Sequence, residues 1–490
     1  MADWLLLQLT GAMGYAKPLV LAAFVLGSVA TVTNVYAGLA ILFLLASIDG
    51  LLKGWFGSGI LALLMKDYFV GLCLIAWLSG RSWGTQRRPD VQRVVQAMTA
   101  LAIWVTLEVA NPGAAFLASV AGARAWLIWL PVFVIVYDVV ASGQQVARYA
   151  AWIAVVATLV GIYGLLQFRW GLNFLGALPE QSMERAGQYA WYGTEGRQVR
   201  VFGTTVSPAR YGGLMAYGVL LTAGCALHWR GARPKVVGLA AASAMGCGLI
   251  LSGSRTPMVA VCIGGFAAVV AARRGRVTVG LAVLALAGTL AAGRFAGGRV
   301  YERAASVWTD LAYTKQRPVK PLRSALRDAL DRPLGLGLDS GVGVPYSLRR
   351  EVRFRGHMLE NGFARALGEL GWPGLIVYVV LVVSVFLLAL RSVAAARGGE
   401  YGLLAAGLFG AVIMQLVGTM TGPILYPTPE AILFMACLAF LARLGEPRVS
   451  AEDGAQAALP AGAEASPESA EGQRAPDRPS ARAAGAEAGP

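Results

Sequence analysis

Arginines at the mouths of apolar runs are the residues of this chain best suited to chemistry. Arg255 stands in Leu251-Ser-Gly-Ser-Arg-Thr-Pro-Met258, between two apolar stretches, with hydroxyls beside it at Ser254 and Thr256. Arg200 opens Arg200-Val-Phe-Gly-Thr-Thr-Val-Ser-Pro-Ala-Arg210, which runs into another apolar stretch and ends on a further arginine. A membrane penalises uncompensated charge, so an arginine at such a junction has either a partner or a task. A guanidinium grips phosphate oxygens two at a time and stays charged at any working pH, so two of them on one side suit a phosphate or diphosphate. The plainer alternatives are a snorkelling Arg255 in a tight turn and an interfacial anchor at Arg200.

A proton acceptor is the second requirement of group transfer, and one segment offers candidates. In Arg355-Gly-His-Met-Leu-Glu-Asn-Gly-Phe-Ala-Arg-Ala-Leu-Gly-Glu-Leu-Gly-Trp-Pro-Gly374, a helix over 357–370 groups Leu359, Phe363, Ala366, Leu367 and Leu370 on one face. His357, Glu360, Asn361 and Arg365 fall on the other, and Gly371 with Pro373 stops the helix. Of the chain's 2 histidines, His228 belongs to a basic cluster assigned below to the cytoplasm, which leaves His357 as the one outside. A lone histidine near a helix start is more often structural than catalytic. An unperturbed imidazole titrates at about 6.5 and a carboxylate near 4.3, which makes His357 the better base at neutral pH.

Those residues need a membrane to hold them. Of the 490 residues 57% are hydrophobic and only 14% charged, with a mean hydropathy of +0.59, more apolar surface than a water-soluble fold can hide. Apolar runs of about 20 residues recur, the length a helix needs to cross hydrocarbon. They lie near 17–33, 35–53, 58–79, 92–110, 125–141, 149–168, 209–227, 235–252, 257–272, 277–293, 374–391, 401–419 and 428–444. Alternating strand patterns are absent, so the expected fold is all-α and polytopic, with about 12 or 13 spans. Basic clusters at Arg81/Arg87/Arg88/Arg93, Arg230/Arg233/Lys235, Arg273/Arg274/Arg276 and Arg391/Arg397 are separated by even numbers of spans and are assigned to the cytoplasm. Segments 169–208, 252–256 and the long loop 294–373 then face outward. Residues 1–445 form the membrane domain; 446–490, rich in Ala, Pro, Glu and Gly, form a disordered cytoplasmic tail.

Other readings fall away on the same grounds. The net charge of +15 sits in short clusters between apolar runs, so it marks membrane orientation and not nucleic acid. The 5 cysteines lie inside apolar spans without CxxC spacing and read as core residues. The N-terminus lacks the basic region and cleavage site of a signal peptide. Lys66 and Asp67 fall within a span and are expected to pair with each other or with Arg124, in a structural role. Gly335-Leu-Gly-Leu-Asp-Ser-Gly341 has no strand–helix unit around it and reads as a turn. Tyr189, Trp191 and Tyr192 could stack on sugars, though aromatic residues also gather at membrane interfaces.

Taken in order, Arg200-x-x-Gly-Thr, Ser252-Gly-Ser-Arg-Thr, a long loop with Pro333-Leu-Gly-Leu-Gly337, and Asn361 followed by Glu369-Leu-Gly-x-x-Gly374 resemble the O-antigen ligase and Wzy-type polysaccharide polymerase superfamily over roughly residues 60–445. The resemblance implies a GT-C-like helical fold in the bacterial inner membrane and action on undecaprenyl-diphosphate-linked glycans at the periplasmic face. It implies a metal-independent, inverting glycosyltransferase without cofactor. Arg200 and Arg255 would bind the diphosphate, with Asn361, Glu369, Ser254, Thr256 and Arg210 in support. The family places His immediately before the Asn; here Glu360 occupies that place and His357 lies four residues ahead of Asn361, so alignment favours Glu360 as base where acid–base chemistry favours His357. The departure is more typical of capsule or exopolysaccharide polymerases than of lipopolysaccharide ligases. Implied partners are the lipid-linked oligosaccharide, an acceptor glycan, membrane lipids, and chain-length-regulating and flippase proteins of the same pathway. The alternatives are an O-antigen ligase that transfers polymer to lipid A-core, or a transporter or flippase of lipid-linked sugars.

Overall fold

The computed structural model describes residues 22–55, 60–80, 87–112, 114–171, 190–193, 196–205, 207–273, 311–338, 361–420 and 429–447. Helix dominates them. α1 (Ala22–Thr33) and α2 (Val35–Ser47) are divided at Asn34, whose side chain accepts from the backbone N–H groups of Tyr36 and Ala37. Next come α3 (Asp49–Trp55), α4 (Ile60–Gly80), α5 (Pro89–Glu108), α6 (Phe116–Leu127), α7 (Leu130–Val139) and α8 (Gly143–Trp170). A short antiparallel hairpin of β1 (Ala190–Gly193) and β2 (Gly196–Val199) interrupts the helices. The remainder are α9 (Pro208–His228), α10 (Ala232–Leu251), α11 (Arg255–Ala272), α12 (Leu311–Asp331), α13 (Gly362–Ala396), α14 (Gly402–Gly418) and α15 (Pro429–Leu444).

Five described segments, 116–139, 143–170, 232–251, 255–272 and 362–396, are long and apolar enough to cross a membrane, and α1, α2 and α14 are shorter apolar helices. The chain is a helical, membrane-embedded protein. Large apolar side chains such as Leu159, Val237, Phe266 and Ile376 are exposed on the outside of the bundle, as a lipid solvent permits. At its centre α15 is encased: from Ala431 to Ala442 no residue is more than 2% exposed.

Lipid is as apolar as leucine, so helices associate through close backbone approach more than through hydrophobic burial. Two glycine pairs provide it on α14. A methyl on Gly407 would lie 2.9 Å from the Gly224 Cα of α9, and one on Gly264 of α11 would lie 2.4 Å from the Gly410 carbonyl oxygen. These contacts lock α9, α11 and α14 into one unit.

The described members of the four basic clusters collect at one end of the bundle. Arg87 pairs with Asp138 at 2.7 Å, Arg88 donates to the Ala442 carbonyl at 3.0 Å, Arg230 pairs with Glu400 at 3.1 Å, and Arg397 donates to the Ala271 carbonyl at 3.1 Å. Ser252, Arg255 and Asn361 lie at the other ends of the same helices, and Arg200 is hydrogen-bonded to Ser252 there. A helix of 20 residues is about 30 Å long, so the two sets are a membrane's width apart.

α13 is bent where the sequence places its stop. Gly371 has φ 66° and ψ −166°, and Pro373 supplies no N–H. The carbonyls freed at the bend are taken up by other elements, since nothing in hydrocarbon would do so. Leu336 N–H donates to Gly368 O at 2.8 Å and Trp104 Nε1 to Leu370 O at 2.9 Å, while Trp372 N–H donates to Pro333 O at 2.9 Å. The Pro333–Gly337 turn, with φ 89° at Gly335 and 91° at Gly337, therefore serves as the splint of this kink. α12, from the same long loop, lays Ala325 and Ala329 against Ala364 and Leu367 of α13.

Candidate functional site

The two arginines singled out by the sequence meet at one turn. Ser252-Gly-Ser254 links α10 to α11, reversing the chain through Gly253 at φ 59°. Ser254 is the N-cap of α11, yet its hydroxyl does not cap the helix. It accepts from Arg200 Nη2 at 2.7 Å, while Arg200 Nε donates to the Ser252 carbonyl at 2.8 Å. Within the turn, Ser252 Oγ donates to Leu249 O at 2.6 Å and accepts from Ser254 N–H at 3.1 Å. Arg200 thus commits two of its five donors to ordering the turn, and Arg255 and Thr256 follow it as the first residues of α11. The two-sided diphosphate grip expected of Arg200 becomes in large part a grip on the protein.

The segment carrying Arg200 is embedded in the bundle. Gln167 Oε1 accepts from the N–H groups of Phe202 (3.3 Å) and Gly203 (2.9 Å), Thr204 Oγ1 donates to Ser47 O at 2.7 Å, and Leu51 N–H donates to Thr204 O at 3.1 Å. Arg210, one turn into α9, lies 3.6 Å from Asp49.

The glycine contacts set the register of the helices, and the register brings the remaining parts level. Arg255 is nine residues from Gly264 and Thr419 is nine from Gly410, so both stand about 14 Å above that contact. By the Gly224–Gly407 contact, Thr419 is level with Gly212 of α9. The side chains agree: a methyl on Gly212 would meet Ser252 Oγ at 2.8 Å, and one on Gly213 would meet Glu430 Oε1 of α15 at 2.4 Å. Gly362 N–H donates to Thr419 O at 2.8 Å and Asn361 Nδ2 to Met420 O at 3.0 Å. Among the described residues, α9, α11, α13 and α15 all begin at this level. Four helix N-termini beside Arg200, Arg210 and Arg255, those of α9 and α13 already capped by Ser207 and Asn361, give this level a positive character.

The expected helix over 357–370 is corrected at its start. Asn361 is an N-cap with extended backbone (φ −128°, ψ 128°), and its Oδ1 accepts from Phe363 and Ala364 N–H, so the helix begins at Gly362. The capping signal of an asparagine before an apolar run was present in the sequence and outweighs the helical wheel. His357 and Glu360 lie outside the described residues. Arg365, expected on the polar face of that helix, is buried together with Glu369 and paired with it at 3.0 Å. Trp126 Nε1 donates to the second oxygen of Glu369 at 2.6 Å, and its ring lies 4.9 Å from the Arg365 guanidinium carbon. Glu369 therefore ties α13 to α6.

Sequence reasoning missed two acidic residues of this end, Asp49 and Glu430; the available signal was that acids inside or at the mouths of apolar runs are rare. Lys66 pairs with Asp49 at 2.9 Å, and Asp67 pairs with Arg124, one of the partners expected for it. β1 contains Trp191 and Tyr192, while Tyr189 lies outside the described residues. Among the described residues no three His, Cys, Asp or Glu side chains stand close enough to share a metal ion. No protein-family model matches the chain, and no curated protein matches it.

Proposed function

We propose that the protein is a glycosyltransferase of surface-polysaccharide biosynthesis in the bacterial inner membrane, polymerising undecaprenyl-diphosphate-linked repeat units at the periplasmic face. The observation that carries this reading is the turn ordered by Arg200, which sets Arg255 at the level where four helix N-termini converge. A diphosphate leaving group needs neutralisation more than protonation, and a guanidinium at a positive helix end offers more as the anomeric C–O bond breaks. Arg255 makes the main contact with the diphosphate, and Arg200 holds the turn that presents it. His357 or Glu360 takes the proton from the acceptor hydroxyl, whose attack inverts the anomeric carbon; no metal or cofactor is invoked. The reading includes 12 or 13 spans in a GT-C-like arrangement, with chain-length-regulating and flippase proteins as partners.

Deletion of the gene followed by analysis of lipid-linked and surface glycans tests it. A single repeat unit left on the acceptor is the expected result. Polymer accumulating on the lipid carrier would reassign the protein as a ligase, and unchanged glycans would overturn both.

A further inference from the structure

Asp49 is the first residue of α3, directly after the break that separates it from α2, with 1% of its surface exposed. One carboxylate oxygen is 2.9 Å from Lys66 Nζ of α4; the other is 3.6 Å from Arg210 Nη1 of α9. Lys66 is itself 2% exposed, its ammonium 5.9 Å from the Trp129 ring centroid. A buried ion pair in a membrane bundle is costly to assemble, and many can be replaced by apolar residues without loss of stability. Its placement is more informative than its presence.

The same break receives the Arg200 segment. Ser47 and Leu51, on either side of Asp49, make the two hydrogen bonds to Thr204. Gly50 is packed so closely that a methyl there would lie 2.3 Å from the Thr205 carbonyl carbon. Arg210 anchors the far end of the segment to Asp49, and Arg200 at the near end holds Ser252 and Ser254. Residues 200–205 and Arg210 thus have two attachments, one beside Asp49 and one at the turn before Arg255. Thr204 has its own hydrogen bonds to Ser47 and Leu51, and the Asp49–Arg210 pair is a further hold on the same segment beside them.

We propose that Asp49 is a positioning residue for the arginine turn, acting through Arg210 and the segment 200–205 to hold Arg200 on Ser252 and Ser254. The consequence for transfer rests on the function proposed above; the consequence for segment order does not, so the two can fail separately.

The test uses Asp49→Asn, nearly isosteric, in the full-length protein in lipid nanodiscs. Backbone hydrogen exchange over 200–205 is expected to rise at least tenfold, with exchange in α15 unchanged. Unchanged exchange over 200–205 would overturn the proposal whatever the protein's activity is. Initial rates of transfer from a lipid-diphosphate glycan are expected to show kcat falling about tenfold. In the Arg200→Lys background, Asp49→Asn is expected to cost less than a further twofold, because the step it acts through is already lost. The same tenfold cost in both backgrounds would mean general structural damage and would also overturn the proposal. If Asp49→Asn fails to accumulate in the membrane, Arg210→Gln takes its place: it cuts the arm toward the segment and leaves Lys66 paired with Asp49, and because it also removes a charge from the anion-facing level its readout is exchange over 200–205 alone, with the same expected rise and the same refuting result.

Discussion

Replacing Arg200 by lysine preserves its charge and removes its geometry, and the structure sets the size of the effect. Arg200 makes two directional bonds to the turn, at 2.8 Å to the Ser252 carbonyl and 2.7 Å to Ser254 Oγ. Hydrogen bonds from a charged donor contribute about 1.5–3 kcal/mol each, and a lysine ammonium can keep at most one in its original direction. A loss of about 2 kcal/mol in turn order, expressed in the transition state, lowers the transfer rate about 30-fold. Ser254→Ala removes only the hydroxyl partner and should cost about tenfold. Because both changes delete the same bond, the double variant should be little worse than Arg200→Lys alone, with a coupling of about 1–2 kcal/mol. The assay is the initial rate of transfer from a lipid-diphosphate glycan, with all four proteins at equal concentration in nanodiscs. If the double variant loses about 300-fold, the product of the single effects, the two residues act independently and the reasoning is wrong.

Gly371→Ala should destabilise the protein by about 2 kcal/mol or more, since its positive φ is strained for alanine and the new methyl would stand 2.3 Å from Pro333 O, a backbone atom that cannot swing aside; a thermal melt several degrees lower checks this, and an unchanged one would contradict the kink geometry. His357→Ala should reduce transfer by about 10²–10⁴-fold and Glu360→Gln by less, as an imidazole is the better base at neutral pH. The reverse order would move the base to Glu360, and two active variants would remove it from this segment. Removing residues 451–490 should leave both membrane abundance and transfer rate unchanged, because that composition cannot build a packed core; loss of transfer at normal abundance would refute this.

Hydropathy was enough to determine that the chain is a helical membrane protein. The span expected near 235–252 is the helix Ala232–Leu251, that near 257–272 is Arg255–Ala272, and the stop expected at Gly371 is the kink of α13. The described residues of the four basic clusters do share one end of the bundle, because a sum over each loop suffices to record that choice. The meeting of Arg200 with Ser254, of Asp49 with Lys66 and Arg210, and of Glu369 with Trp126 was decided by tertiary structure alone. The reason is physical. In water an amphipathic stripe announces which face of a helix turns inward, but these helices are apolar all round and their lipid faces look like their buried ones. Facing and register are set instead by where backbones can touch, at Gly224 against Gly407 and Gly264 against Gly410, and a glycine in a sequence does not name the glycine it will meet.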